Sequence, residues 1–355
     1  MTDSPFAATA RELAPALAAA ARTTHERGIT REALAALNAR GLLRMGHVPG
    51  EAWGLHLLPA RILARSCATT AWIVTHCAEA SRTIALMAKP ARDAVWAKPE
   101  TIAIAGDAAE PVSAERRGAE FVMSGHWPFV AAAGFADWFV LRGRTPEGLM
   151  AFAVPATGVT LTPTTHVGGL RGCGFQAVSA DHISVPATHA VALPASDLTY
   201  QRAGILSAIL GTAEGGYADY LAMTKKRVSG TGGGAVAKLT QVQIRLAEAE
   251  ADVESARTLV DSITARLQGR ETDDAVRLAR DGAVAARRAL QAVTQLVHQM
   301  GALGLAEFNP VQRHYRDIRA MATDARVNAD THLAAFGRQE LGVPDTTAVT
   351  ARAAE

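Results

Sequence analysis

The feature that most restricts how this 355-residue chain can fold is a change of texture that happens twice along it. Up to about Pro99 the apolar residues recur at helical spacing: Leu34, Leu37 and the Leu42-Leu43 pair, then the long apolar run SCATTAWIVTHCAEASRTIALM, which reads as a buried helix around Trp72. From about Thr101 to Pro194 short β-prone pieces (TIAIAG, EFVMSGHW, DWFVLRGR, LMAFAVP, HISVP) alternate with Gly, Pro and Asp turn signals. No helical segment separates these pieces, which predicts a small antiparallel sheet or barrel and argues against a parallel nucleotide-binding sheet. From about Tyr200 helical spacing returns. Val242, Leu246, Val253, Leu259, Val260 and Ile263 fit one long helix, and Ala286, Leu290, Val293, Val297 and Met300 follow a 4,3,4,3 spacing suited to a bundle. The interruption VSGTGGGAVAK, with four closely spaced glycines, is expected to be a mobile loop. The expected organisation is therefore α+β: a helical unit over 1–100, a β-unit over 101–196 and a helical bundle over 197–355.

Bulk properties narrow the function classes. A net charge of +2 gives no reason to expect nucleic-acid or membrane-surface binding, and the basic run Lys225, Lys226, Arg227 is local. No apolar run approaches the roughly 20 residues needed to cross a bilayer, and the Ala-rich N-terminus lacks the layout of a secretory signal. Three scattered cysteines, Cys67, Cys77 and Cys173, suit neither a disulfide framework nor a zinc site. A cytoplasmic location, with no metal, is the expectation.

Four stretches carry chemistry-bearing residues: ARSCATTAWIV, GHWPFVAAAGFADWFVL, GGLRGCGFQAVSADHISVP and NPVQRHYRDIRA. With the helix, β, helix order, they resemble the acyl-CoA dehydrogenase superfamily, whose members hold flavin between a middle antiparallel β-barrel and a C-terminal four-helix bundle. The second stretch is similar to the family's W-x-F segment followed by A-D-W. The resemblance implies that Trp127 and Phe129 lie along a flavin ring and that Ala131 stands where relatives commonly carry Ser. The third is similar to the family's glycine-rich turn, implying flavin contacts from Arg171, Gly172, Cys173 and Gly174, with Cys173 in place of the usual Thr. The fourth is similar to Q-R-x-W-R-D, and Arg313, Arg316 and Asp317 are expected to tie adjoining helices together. LVHQMGALGL supplies Gln299 and Gly301 at the positions where relatives reach a neighbouring subunit's flavin, and Arg227 matches an arginine that contacts flavin phosphate or ribityl oxygens. The resemblance thus implies FAD or FMN as cofactor, and a homotetramer or homodimer that shares the flavin site between subunits.

Dehydrogenases of this fold use a glutamate, often in E-G-T-x-E, to take the substrate's α-proton. The segment IRAMATDARVNADTHLAAFGRQELG lacks that string. Its ending and the A-R-S-C-x-T-T-A-W helix look more like the two-component monooxygenase branch, which implies an enzyme that takes reduced flavin from a separate flavin reductase and uses O2 to oxygenate a small organic molecule: aromatic, polyketide-like or amine. The candidate bases are His76, Asp324, which stands where several relatives carry His, and His332. The second reading is an acyl-CoA dehydrogenase-like FAD enzyme acting on a thioester, and the third a scaffold that has lost flavin.

Overall fold

The computed structural model describes residues 4–344 apart from 52, 165–166, 195, 229–233 and 270–273. Five helices come first: α1 (Pro5–Arg27), α2 (Arg31–Ala39), α3 (Leu57–Ser66), α4 (Ala68–Ala85) and α5 (Lys89–Val95). Ser4 and Thr30 cap α1 and α2 by accepting from the backbone N–H three residues on. The stretch read as one A-R-S-C-x-T-T-A-W helix is broken at Cys67, whose extended backbone (φ −149°, ψ 101°) separates α3 from α4. As the unbroken apolar sequence demands, α4 is buried along nearly its whole circumference, except at Arg82 and Ala85.

Eight strands follow: β1 (Ala103–Asp107), β2 (Ser113–Arg117), β3 (Glu120–Val130), β4 (Trp138–Thr145), β5 (Gly148–Pro155), β6 (Thr160–Pro163), β7 (Gln176–Pro186) and β8 (Ala190–Ala192). They form two four-stranded sheets, ordered β1-β4-β5-β8 and β2-β3-β7-β6. All pairings are antiparallel except that of β1 with β4, which is parallel. The unit is thus predominantly antiparallel, as expected, with this one parallel pairing. The β2–β3 hairpin leaves for the second sheet, so the chain returns beside β1 running the same way, and a hairpin rather than a helix makes the crossover.

The last section holds α6 (Asp197–Lys226), α7 (Thr240–Gln268), α8 (Ala275–Gln299), α9 (Pro310–Met321) and α10 (Ala329–Glu340). Helices α6 to α9 form the expected bundle, and α10 lies against α8. Two glycines one turn apart let α6 approach α3. A Cβ on Gly211 would overlap the Arg61 carbonyl oxygen, and one on Gly215 that of Arg65. The glycine-rich loop expected within 228–238 falls largely on 229–233, outside the described residues; on either side of it Val228 and Ala235 form a β-bridge. One large apolar core runs through all three sections, and a smaller one joins α4 and α5 to the outer face of β1, β4 and β5. Among the described residues no helix is long and apolar enough to cross a membrane.

Candidate active site

The T-H-C-A-E run in α4 puts His76 and Glu79 three residues apart, on neighbouring positions of one helix face. Glu79 is 1 % exposed, a burial a carboxylate tolerates only with cationic partners. The partners come from remote segments. Arg142 of β4, also 1 % exposed, donates through Nη2 to Glu79 Oε2 at 2.9 Å and to Asp107 at 2.8 Å. The parallel β1–β4 register sets Asp107 opposite Arg142. From the turn after α9, Arg326 Nη1 lies 3.4 Å from Glu79, 3.1 Å from Asp107 and 3.2 Å from Gln201 Oε1. Its Nη2 is 2.7 Å from Asp324, and Arg202 Nε donates to the Arg326 carbonyl at 2.5 Å.

Burial works against every charge here and the neighbours decide the outcome. Desolvation pushes Glu79 up, but Arg326 and Arg142 outweigh it and hold the carboxyl well below its usual range. Asp324 is likewise lowered, because Arg326 overcomes its burial. Desolvation would lower Arg326, yet Asp107, Asp324 and Glu79 raise it well above the ordinary value. Arg202 is lowered to about 10, by burial first and then by Arg326. Glu79, Asp324 and the guanidiniums of Arg202 and Arg326 thus remain ionised at neutral pH.

Several buried polar atoms at this junction have no hydrogen-bond partner: His76 Nδ1, Glu79 Oε1, Arg142 Nε and Nη1, and His56 Nε2 beside Gly204. His76 packs edge-on against Trp72 at 4.9 Å, with Nδ1 3.5 Å from Glu79 Oε2. A ring nitrogen facing a carboxylate favours a proton on that side, which leaves the opposite nitrogen as acceptor. His56 is pushed down to about 4, chiefly by burial, so it is neutral near pH 7. The structure brings His76 and Asp324 to one network, but both Asp324 oxygens are engaged by Arg326, Oδ1 with the backbone N–H and Nε and Oδ2 with Nη2. His332 lies 2.9 Å from the Ala325 carbonyl through Nε2 and so braces the same turn. Sequence reading missed Glu79, Arg142 and Arg326. The available signal was an acid inside an apolar helix and an arginine inside the apolar strand FVLRG.

On the barrel side, β3 has an irregular register between Trp127 and Val130. This separates two aromatics that simple alternation would put on one face. Trp127 is fully buried and its indole donates to the Arg142 carbonyl at 2.9 Å, so it fills the core; the expectation that it offers a surface to a flat ring fails for that reason. Phe129 is 62 % exposed and meets Phe175 edge-on at 6.4 Å. Beside them Ala132 adopts φ 51° and donates to the Cys173 carbonyl at 2.7 Å, Ala131 is buried, and Gly174 turns at φ 58° into open space. Gln176 Oε1 is buried without a partner. Gly172 serves packing: its carbonyl accepts from Ile29 N–H, and a Cβ there would overlap the Thr24 carbonyl. The Cys173 thiol is buried against Thr69 and Cys67, and desolvation keeps it well above the usual thiol range, which makes it unreactive.

Arg227 caps the end of α6 and reaches the Met300 carbonyl at 3.4 Å, between Gln299 at the end of α8 and Gly301, which has φ 58°. These three expected positions therefore come together. In the QRHYRD helix, Asp317 does tie segments, accepting from Leu170 N–H at 2.7 Å. The other half of that expectation is corrected: among the described residues neither Arg313 nor Arg316 has a carboxylate or hydrogen-bond partner, because both extend toward a pocket instead.

Comparison with known proteins fits this geometry. Residues 203–329 match the family described as acyl-CoA dehydrogenase, C-terminal domain. The chain is 25 % identical, over 94 % of its own length and 97 % of the relative's, to the oxygenase subunit HsaA of a flavin-dependent monooxygenase from Rhodococcus jostii. It is 26 % identical, over 79 % of each chain, to the oxygenase component of an FADH2-dependent resorcinol hydroxylase from Rhizobium. The crystal structure of the HsaA monooxygenase from M. tuberculosis superposes with a TM-score of 0.84 at 23 % identity, covering 96 % of this chain and 98 % of that one. Glutaryl-CoA dehydrogenase from Mycobacterium smegmatis gives 0.83 at 19 % identity, over 96 % and 94 %. The chain thus has the acyl-CoA dehydrogenase fold. The two oxygenase components named above are matched over 97 % and 79 % of their own lengths.

Proposed function

We propose that this chain is the oxygenase component of a two-component flavin-dependent monooxygenase. It takes reduced FAD or FMN from a separate reductase and uses O2 to oxygenate a small aromatic, polyketide-like or amine substrate. The observation that carries this against thioester dehydrogenation is the turn between α9 and α10: its carboxylate, Asp324, is committed to Arg326 rather than free to take an α-proton. Two relatives, matched over 97 % and 79 % of their lengths, are named as an oxygenase subunit and an oxygenase component.

The residues present fit a flavin. The exposed Phe129 with the half-buried Phe175, an open left-handed Gly174 and the unpartnered Gln176 Oε1 offer a flat apolar surface with polar atoms at its edge. Bound reduced flavin would supply the electrons for O2 activation. The chain's own residues do the rest. His76 would receive the substrate's proton at Nε2 while Glu79 holds Nδ1, and the Arg142–Glu79–Arg326 lock fixes α4 against the barrel and keeps bulk water out. Arg227, Gln299 and Gly301 would meet the flavin of a neighbouring subunit in a homotetramer or homodimer, while Ala131, Arg171, Gly172 and Cys173 shape the turn around the ring. We place the functional units at 1–100, 101–196 and 197–355, and the enzyme in the cytoplasm. The test is to supply reduced FAD or FMN, 18O2 and a panel of phenols and arylamines. One labelled oxygen per product supports the proposal; product without label, or no reduced-flavin binding, overturns it.

A further inference from the structure

A second group of charged side chains lies apart from the junction described above, where the end of α1, the turn at 171–173 and α9 meet. They line a partly open pocket of about 10 Å³, room for one oxygen-sized group. Its wall carries His25, Arg171, Arg313 and Arg316. The nearby carboxylates do not balance them. Glu26 is paired with Arg22 at 2.7 Å, and Glu307 is 3.9 Å from Arg171 and largely exposed. Asp317 accepts from Leu170 N–H and lies 3.7 Å from His25. Arg313 and Arg316 have no carboxylate partner among the described residues, and Arg316 Nε is buried without a hydrogen bond.

His25 supplies an independent sign of a missing ligand. Its side chain is 5 % exposed, it lines the pocket, and both ring nitrogens lack partners. A buried imidazole with neither nitrogen satisfied is costly unless something polar occupies the space beside it. Burial, followed by Arg316, Arg171 and Arg313, pushes it down to about 4, so it stands neutral with one N–H to donate. Every side chain that lacks a partner here is a donor or can act as one.

We propose that this pocket is an oxyanion site that binds a phosphoryl group, with one oxygen seated against His25 and the others reached by Arg171, Arg313 and Arg316. Guanidinium forks match phosphate oxygens, and three of them suit a tetrahedral anion better than a two-oxygen carboxylate. The phosphoryl group comes either from free phosphate or from the phosphate of a flavin nucleotide.

The experiment is calorimetric titration of the full-length protein with inorganic phosphate against potassium chloride at equal ionic strength. Arg313→Gln and Arg316→Gln are titrated in parallel, with circular dichroism and elution volume checked for each. The expected result is saturable phosphate binding to the wild type, at least tenfold weaker in each variant, with none for chloride. Addition of phosphate should also move the His25 imidazole nitrogen resonances of the wild type, a readout that no folding defect can mimic. Competition of phosphate with FMN but not riboflavin assigns the site to a nucleotide's phosphate, and absence of competition assigns it to free phosphate; both retain the site. Absence of saturable binding to the wild type, or equal binding to the variants, overturns it.

Discussion

Substituting Glu79→Gln probes the junction where α4, the barrel and the α9–α10 turn meet. The amide keeps the shape but removes the charge that two buried guanidiniums face, Arg142 at 2.9 Å and Arg326 at 3.4 Å. Breaking a buried ion pair by removing one partner costs about 3–5 kcal/mol. Here each arginine keeps another carboxylate, Asp107 for both and Asp324 for Arg326, so the lower end applies, about 3 kcal/mol. At about 2 °C per kcal/mol for a chain of this size, the melting midpoint falls by about 6 °C. The assay is thermal and urea unfolding of both proteins near neutral pH, with Glu115→Gln as control, since that carboxylate pairs with Arg117 on the surface. Glu79 is held well below its ordinary pKa, so its contribution is complete above the unfolded-state value of about 4.3 and fades as pH falls through the lower folded value. The difference between wild type and Glu79→Gln should therefore shrink in acid. A change in midpoint no larger than that of the control, or a difference that grows on acidification, would refute the reasoning.

Other predictions follow from single sites. His56 has a folded pKa of about 4, below its unfolded value of about 6.5, so it contributes fully above 6.5 and loses its contribution as pH falls toward 4; His56→Gln should flatten the stability slope across that window in urea titrations. Gly211→Ala should destabilise by about 1–3 kcal/mol in urea unfolding, because its methyl would overlap the Arg61 carbonyl where α6 packs on α3. Cys173→Ala should leave reduced-flavin affinity within about twofold, by fluorescence titration, since the buried thiol is not ionised. Phe129→Ala should weaken flavin binding by about tenfold, the loss of roughly 1.4 kcal/mol of aromatic contact, without lowering the melting midpoint, because the ring is exposed.

The parts of the fold legible in the sequence were those encoded by period. The 4,3,4,3 spacing from Ala286 to Met300 follows the core-facing side of α8 and its C-cap, and the run around Trp72 is the buried α4. The parallel β1–β4 pairing was not legible, since it depends on which sheet the intervening hairpin joins. Trp127 and Phe129 were read as a pair through the resemblance to a W-x-F segment, and the irregularity in β3 that separates them has no local signature. His76 stood out as a histidine on an apolar helix. Its neighbour Glu79 acquires meaning only through Arg142 and Arg326, which lie 63 and 247 residues further along the chain, and no local spacing reveals such partners. The QRHYRD segment marked ancestry, whereas the destination of its two arginines depended on where the end of α1 lands.

The central claim is that this chain works on reduced flavin delivered from elsewhere. It is tested most directly by anaerobic titration with chemically reduced FAD and FMN, alongside the oxidised forms and an acyl thioester challenge. The account predicts saturable binding of a reduced flavin, tighter than its oxidised form, and no bleaching of bound oxidised flavin by the thioester. Failure to bind either reduced flavin, or thioester bleaching of a tightly held oxidised flavin, would contradict it.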